Sequence, residues 1–172
     1  HPLLPYEASI TGSINLARHI IDGEIDWQKL EKTVETAVHF LDCAIDTCNY
    51  PLPEIKSAMK QSRRIGLGVI GWADAVIQIG VSYNSTQAVK LADEVMQFIS
   101  NTAKKASTEL ALKRGAVTGS IRNATRITVS AGAIQSVIAN CSQGIEPYFA
   151  ISYLKKTPTT ETIEVIPLFE KT

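Results

Sequence analysis

One stretch of the sequence, residues 122–147, limits the possible folds most narrowly because its pattern is that of a strand leading into a helix. Residues 125–129 alternate between apolar or β-branched and polar side chains, which is the two-residue period of a strand. The small residues 130–133 then predict a turn, and residues 134–139 predict the first turns of a helix. A helix that starts there points unpaired backbone amides at one spot, at the positive end of the helix dipole. The pattern therefore predicts a phosphate or carboxylate site, with an ordinary helix start that binds no ligand as the alternative.

Length and charge limit the class of protein. The 172 residues are enough for one core, so we expect one domain or a piece of a larger one. Seventeen Lys and Arg balance seventeen Asp and Glu, which argues against nucleic acid or an anionic membrane as a partner. No apolar run is long enough to span a membrane, and the N-terminal residues do not have the pattern of a signal peptide.

The cysteines and histidines do not predict a metal site. Cys43, Cys48 and Cys141 have no C-x-x-C spacing, so we predict neither a zinc site nor a disulfide framework. We predict instead that the protein works in a reduced, cytoplasmic setting. Cys48 is predicted to pack in the core. His39 and Asp42 are three residues apart on a predicted helix, and we interpret them as solvated or core-edge positions rather than as metal ligands.

Two long helices are predicted. The first covers residues 26–48, with Asp26 as its N-cap, and the second covers residues 85–114, with Ser85 as its cap and Gly115 just beyond its end. Between them, Pro53 suits the first position of a helix that extends to residue 62. The apolar residues of the two long helices recur three and four positions apart: Trp27, Leu30, Val34, Val38, Leu41, Ile45 and Cys48, then Ala88, Leu91, Val95, Phe98, Ile99, Ala103, Ala106 and Leu110.

Strands are predicted around these helices. Gly66, Gly68 and Gly71 match the spacing G-x-G-x-x-G, but the glycines alternate inside the apparent strand, so we reject a dinucleotide fingerprint and expect close approach of another backbone or a ligand. Residues 151–154 and 162–166 predict two strands joined by a polar loop. Residues 3–16 are interpreted as an irregular, extended start with a turn into a short helix. Long helices thus alternate with short strands, and the predicted fold is α/β with helix in excess.

Four motifs carry a resemblance to a known family. They are LLPYEA with GSINLAR, RRIGLGVIGWAD, RNAT, and SQGIEP. Together they resemble the catalytic barrel of adenosylcobalamin-dependent, class II ribonucleotide reductases, and the resemblance spans nearly the whole chain. It implies that residues 1–172 are part of a catalytic-barrel domain, a ten-stranded α/β barrel. It also implies the cofactor adenosylcobalamin and the radical reduction of ribonucleotides to 2′-deoxyribonucleotides.

The resemblance also assigns site residues. In the family the turn of the strand-turn-helix holds the substrate phosphates and usually reads A-P-T-G-T-I-S. The aligned residues here are Ser130, Ala131, Gly132, Ala133, Ile134, Gln135 and Ser136. Two threonine hydroxyls are therefore missing, each worth roughly 1 kcal/mol as a net hydrogen bond, and Ser130 and Ser136 are expected to compensate in part.

Position 9 departs from the family in a way that affects the chemistry. The family has a redox-active cysteine there, and this chain has Ser9, which cannot form a disulfide. The family's radical cysteine and catalytic glutamate belong to an N-P-C-G-E motif that would precede His1. Three explanations stay open for Ser9: an inactivating substitution, a different reductant such as formate, or a lineage that has lost the activity.

Two functions follow from these observations. The first is an enzyme segment that contributes the phosphate-binding turn and one wall of the active site. The second is a non-catalytic relative that binds nucleotides or has a structural role. An unrelated helical binding module is a third, weaker alternative. Because part of a barrel exposes strand edges, the expected partners are the nucleotide substrate and the rest of a reductase, a complementing subunit or a second copy of the chain.

Overall fold

The structure, a computed structural model, describes residues 3–117, 119–129, 132–156 and 158–170. It is a mixed α/β fold in which helices make up about half of the chain. The α-helices among the described residues are α1 Trp27–Thr47, α2 Pro53–Ser62, α3 Trp72–Ile79, α4 Thr86–Arg114, α5 Ala133–Ala139 and α6 Pro167–Glu170. The strands in these described ranges are β1 Ile10–Asn15, β2 Ile20–Ile21, β3 Glu24–Ile25, β4 Ile65–Ile70, β5 Ser152–Lys156 and β6 Glu161–Val165, and a short 3-10 helix covers Leu16–His19.

A parallel sheet lies at the centre of the fold. β1 pairs with β4 from Ile10 opposite Ile65 to Asn15 opposite Ile70. On the other side of β4, Leu67 forms a parallel bridge with Ile127. The predicted strand at residues 125–129 is therefore present as an extended segment beside β4, but as one bridge rather than a regular strand.

The interpretation of residues 3–16 as irregular was wrong for its second half. Residues 10–15 are a strand because they pair with β4, and Gly12 lets the side chain of Leu41 pack directly against the backbone. The predicted short helix does follow, as the 3-10 helix. Asn15 caps it by accepting a hydrogen bond from the Ala17 amide.

The two long helices were predicted correctly; α1 packs against β1 and β4, and α4 packs against α1. Asp26 caps α1 and Ser85 caps α4 through their side chains, and Gly115 ends α4. The helices pack against each other, with the rings of Trp27 and Phe98 4.9 Å apart. Their predicted stripes supply much of the core: Leu30, Val34, Val38, Leu41, Ile45, Ala88, Val95, Ile99, Ala103, Ala106 and Leu110.

The prediction that Cys48 packs in the core was wrong. Cys48 is exposed because it is the C-cap of α1, with extended backbone dihedral angles that take it off the helical stripe. Ile45, one turn earlier, is the last buried residue of that stripe.

The C-terminal third exposes apolar side chains. Ile134, Val137 and Ile138 of α5 are each more than 70 % exposed. The antiparallel hairpin of β5 and β6 is also exposed along most of its length, and an isolated two-stranded hairpin is marginally stable in water. The described residues form no closed barrel, and these surfaces are free to meet other protein. Among all the described residues, no helix is long and apolar enough to cross a membrane.

Candidate functional site

The helix predicted to start after the phosphate turn is α5. Its N-cap is Gly132, whose φ of 55° lies in the left-handed region that favours glycine. The amides of Ala133, Ile134 and Gln135 precede the first intrahelical donor, and no described residue accepts a hydrogen bond from them. The candidate residues Ser130 and Ala131 lie outside the described residues. Three amides at the helix start thus have no partner among the described residues, and their role in phosphate binding stays a prediction.

Gly132 fixes where α5 begins. A Cβ at this position would lie 2.7 Å from Cγ2 of Ile70, the last residue of β4, and 3.4 Å from the Gly144 amide nitrogen. Only a residue without a side chain allows this approach. The start of α5 is thereby held at the carboxyl edge of the sheet, where open α/β sheets usually bind ligands.

Ser136 turns inward instead of toward a ligand. It is buried, its amide donates to the Gly132 carbonyl, and its hydroxyl donates to the Ala133 carbonyl. Its part in phosphate binding stays a prediction, and in this structure both of its donors are used within α5.

Ser9 lies away from α5. It is half-buried and directly precedes β1, at the edge of the sheet opposite to Gly132. β1 is six residues long, so the two ends of the predicted site are separated by roughly 20 Å along the strands. The structure brings Gly132, Ala133, Ile134 and Gln135 together and leaves Ser9 apart from them.

A buried polar network holds the segment that leads to α5. Asp42 has no exposed surface, and its carboxylate accepts hydrogen bonds from Arg63 Nε at 2.8 Å, Arg122 Nε at 2.8 Å and Asn123 Nδ2 at 3.0 Å. Burial alone would raise the pKa of Asp42, but the hydrogen bonds from Arg63 and Arg122 outweigh it and hold that pKa below its usual value. Arg122 also donates to the last carbonyls of α4, at Arg114 and Gly115.

The interpretation of Asp42 as a solvated or core-edge residue was therefore wrong. Two buried guanidinium groups neutralise its charge, which removes the main cost of burying a carboxylate. A signal was present in the sequence, since Asp42 falls at helical spacing between Val38 and Ile45, on the apolar stripe. His39 is exposed, and no group of three metal-ligating side chains occurs among the described residues.

Cys141, which follows the end of α5, is predicted to be unreactive. Burial, with a contribution from the Asp74 carboxylate, raises the pKa of its thiol to about 11. At pH 8 roughly one thiol in a thousand is then ionised, and the thiolate is the form that reacts. We expect iodoacetamide to label exposed Cys48 much faster than Cys141, measured by peptide mass spectrometry over time. Equal rates at the two cysteines would contradict this environment for Cys141.

Comparison with known proteins identifies the family. Residues 10–119 match the family described as "Ribonucleotide reductase, barrel domain". The chain belongs to the ribonucleotide reductase family. The match contains the elements from β1 to α4, including the parallel sheet and the Asp42 side chain.

Individual reductases extend the match over α5. The chain is 42 % identical, over 99 % of its length, to the "Vitamin B12-dependent ribonucleoside-diphosphate reductase" of Thermoplasma acidophilum, and covers 24 % of that protein. The reductase of the same name from Mycobacterium tuberculosis is also 42 % identical over 99 % of the chain, which covers 26 % of it. The "Ribonucleoside-diphosphate reductase subunit alpha" of Chlamydia pneumoniae is 42 % identical over 60 % of the chain. The chain thus spans about a quarter of the length of the two B12-dependent reductases.

Proposed function

We propose that this chain is part of a ribonucleotide reductase that converts ribonucleoside diphosphates to 2′-deoxyribonucleoside diphosphates. The observation that supports this most directly is the 42 % identity over 99 % of the chain to reductases whose names specify diphosphates. In this proposal the fold is part of a ten-stranded α/β barrel, in a cytoplasmic enzyme. The rest of that enzyme, or a second copy of the chain, covers the exposed faces of α5 and of the β5–β6 hairpin.

The proposed role of α5 is to bind the substrate phosphates. The amides of Ala133, Ile134 and Gln135, which have no partner among the described residues, can donate hydrogen bonds to phosphate oxygens, and the helix dipole favours the negative charge. The Gly132 contact with Ile70 holds these amides in place before the substrate arrives. Residues 130–136 then fix the position of the substrate through its phosphates, so that the ribose is presented to the reacting groups.

Ser9 determines which reductant the enzyme can use. Reduction of the ribose 2′-carbon consumes two electrons and releases the hydroxyl as water. A pair of thiols supplies these electrons by forming a disulfide, and a serine oxygen cannot take part in that bond. In the proposed enzyme the electrons come from cysteines at other positions or from a reductant of another class, such as formate.

None of the described residues is identified as a ligand for adenosylcobalamin, the cofactor implied by the names of the relatives. Both ring nitrogens of the buried His19 are engaged, Nδ1 with the Asn15 carbonyl and Nε2 with Thr33 Oγ1, so neither is free to meet a cobalt ion. One cavity of about 680 Å³ is an open groove on α1 between Asp26 and Phe40. We therefore assign the binding of the cofactor to other parts of the reductase.

The test is formation of 2′-deoxynucleotides by the full-length protein. The protein is incubated with a ribonucleoside diphosphate, adenosylcobalamin and either a dithiol or formate, and products are separated by chromatography. We compare native protein with Ser9→Cys and, as a control for an added thiol nearby in the chain, Ser13→Cys on β1. The proposal predicts product with native protein under at least one reductant, and a larger dithiol-dependent rate for Ser9→Cys only.

The alternative function gives a different result. A non-catalytic relative binds the diphosphate but forms no product in native protein or in Ser9→Cys with either reductant. That outcome would contradict the proposed enzyme and favour a nucleotide-binding subunit.

A further inference from the structure

The N-terminus of α3 is capped by a distant segment of the chain. The N-cap of α3 is Gly71, which has no side chain to accept a hydrogen bond. Instead, Ser142 accepts from the Gly71 amide through its carbonyl at 2.9 Å and from the Ala73 amide through Oγ at 3.1 Å. The Gly144 carbonyl accepts from the Trp72 amide at 3.4 Å. The amides of Gly71, Trp72 and Ala73 at the start of α3 thus donate hydrogen bonds to other parts of the protein.

Asp74 completes this arrangement in the opposite direction. Its Oδ2 accepts a hydrogen bond from the Ser142 amide at 2.7 Å, and its Oδ1 accepts one from the Tyr148 hydroxyl at 2.6 Å. Reciprocal bonds between a serine and an acidic residue at the third helical position form a capping box when both belong to one helix. Here the serine comes from 68 positions further along the chain. Asp74 and Ser142 are both buried, so the two bonds to the carboxylate are protected from water.

This capping arrangement fixes the position of the end of α5, because Ser142 lies two residues beyond Asn140, the C-cap of that helix. α5 ends at Asn140, in the left-handed region, and the Cys141 amide donates to the Ser136 carbonyl. One end of α5 is therefore held by Gly132 against Ile70, and the other by Ser142 against α3. The outward face of α5, with Ile134, Val137 and Ile138, is exposed.

We propose that Asp74, Ser142 and Tyr148 are positioning residues for substrate binding: they form a latch that holds α5 so that its free amides face the substrate phosphates. The inference rests on the proposed phosphate site at α5. The three latch residues do not touch the substrate. Their effect is on the affinity for the phosphate groups, while the nucleoside part of the substrate is bound independently of them.

The test measures equilibrium binding to the full-length protein by calorimetry, for a ribonucleoside diphosphate and for the corresponding nucleoside without phosphates. The variants are Asp74→Asn and the milder Tyr148→Phe, which deletes one hydroxyl. Tyr153→Phe is the matched control, because it deletes a hydroxyl that donates to a carboxylate, Glu164, on the exposed hairpin. Circular dichroism of each variant establishes that it is folded.

The latch predicts about tenfold weaker binding of the diphosphate in Asp74→Asn and a smaller loss of the same kind in Tyr148→Phe, on the scale set by hydrogen bonds to a buried charge. Nucleoside binding is unchanged in both, and Tyr153→Phe binds as native protein does. If folded Tyr148→Phe and Asp74→Asn bind the diphosphate with native affinity, the latch is wrong, but the phosphate site is not affected. An equal loss for diphosphate and nucleoside would also overturn it, because that is the result of general loosening. If native protein binds the diphosphate no more tightly than the nucleoside, the phosphate site itself is wrong and the latch falls with it.

Discussion

Replacing Asp42 with alanine is expected to lower the free energy of unfolding by about 3–5 kcal/mol, the range found when one partner of a buried ion pair is removed. The carboxylate is fully buried and accepts from the side chains of Arg63, Arg122 and Asn123. Without it, the buried guanidinium group of Arg122 loses its carboxylate partner, and that of Arg63 keeps only Asp46. Urea unfolding of native and variant protein, followed by circular dichroism, measures the difference.

Asp46→Ala is the matched control for Asp42→Ala. Asp46 also pairs with Arg63, at 2.9 Å, but its side chain is 43 % exposed, so water can replace the carboxylate. We expect a loss of about 1 kcal/mol or less for this variant. Similar losses of unfolding free energy in Asp42→Ala and Asp46→Ala would contradict the larger contribution of Asp42 to stability.

The contribution of Asp42 to the free energy of unfolding also has a defined pH dependence. The pKa of Asp42 is lowered in the folded protein from an ordinary value of 3.8. Its contribution is therefore complete above that ordinary value and is lost as the pH falls through the lower, folded value. The stability difference between native protein and Asp42→Ala should be constant near neutral pH and should shrink only in strong acid. A difference that already shrinks between pH 7 and 5 would contradict this assignment.

Replacing Gly132 with alanine is expected to impair both folding and nucleotide binding. Alanine is strained at a φ of 55°, which costs of order 1–3 kcal/mol. The new methyl group would also meet Ile70 Cγ2 at 2.7 Å and push the start of α5 away from the sheet. Since displacement of binding groups by an ångström can cost on the order of a hundredfold, we expect the diphosphate affinity to fall at least tenfold, measured by calorimetry on the full-length protein.

Gly119→Ala separates strain from displacement. Gly119 has nearly the same φ, 56°, but a Cβ there would have no neighbour within 4 Å. This control should lose a similar amount of stability from backbone strain and bind the diphosphate normally. If both glycine variants bind like native protein, the position of α5 does not determine nucleotide affinity.

Much of the helical part of the fold can be predicted from the sequence because its signals are local. The caps Asp26 and Ser85 and the regular apolar stripes define α1 and α4 without knowledge of the rest of the chain. The hairpin of β2 and β3 was missed although its signal is also local. Asp22 and Gly23, both with positive φ, form the Asp-Gly turn that favours such hairpins.

The features that position the candidate site are not local, and the sequence did not predict them. β1 is a strand because of its pairing with β4, 55 residues away at Ile10 and Ile65. The capping of α3 by Ser142 and the burial of Asp42 depend on contacts between residues 68 and 80 positions apart. The phosphate turn was predicted from the order of strand, turn and helix, and it stays a prediction until a ligand is located there.

A crystal structure of the full-length protein with a bound ribonucleoside diphosphate tests the account most directly. The account predicts phosphate oxygens about 3 Å from the amide nitrogens of Ala133, Ile134 and Gln135, with Asp74 still bonded to Ser142 and Tyr148. A diphosphate bound elsewhere, with these three amides facing solvent or other protein, would contradict it.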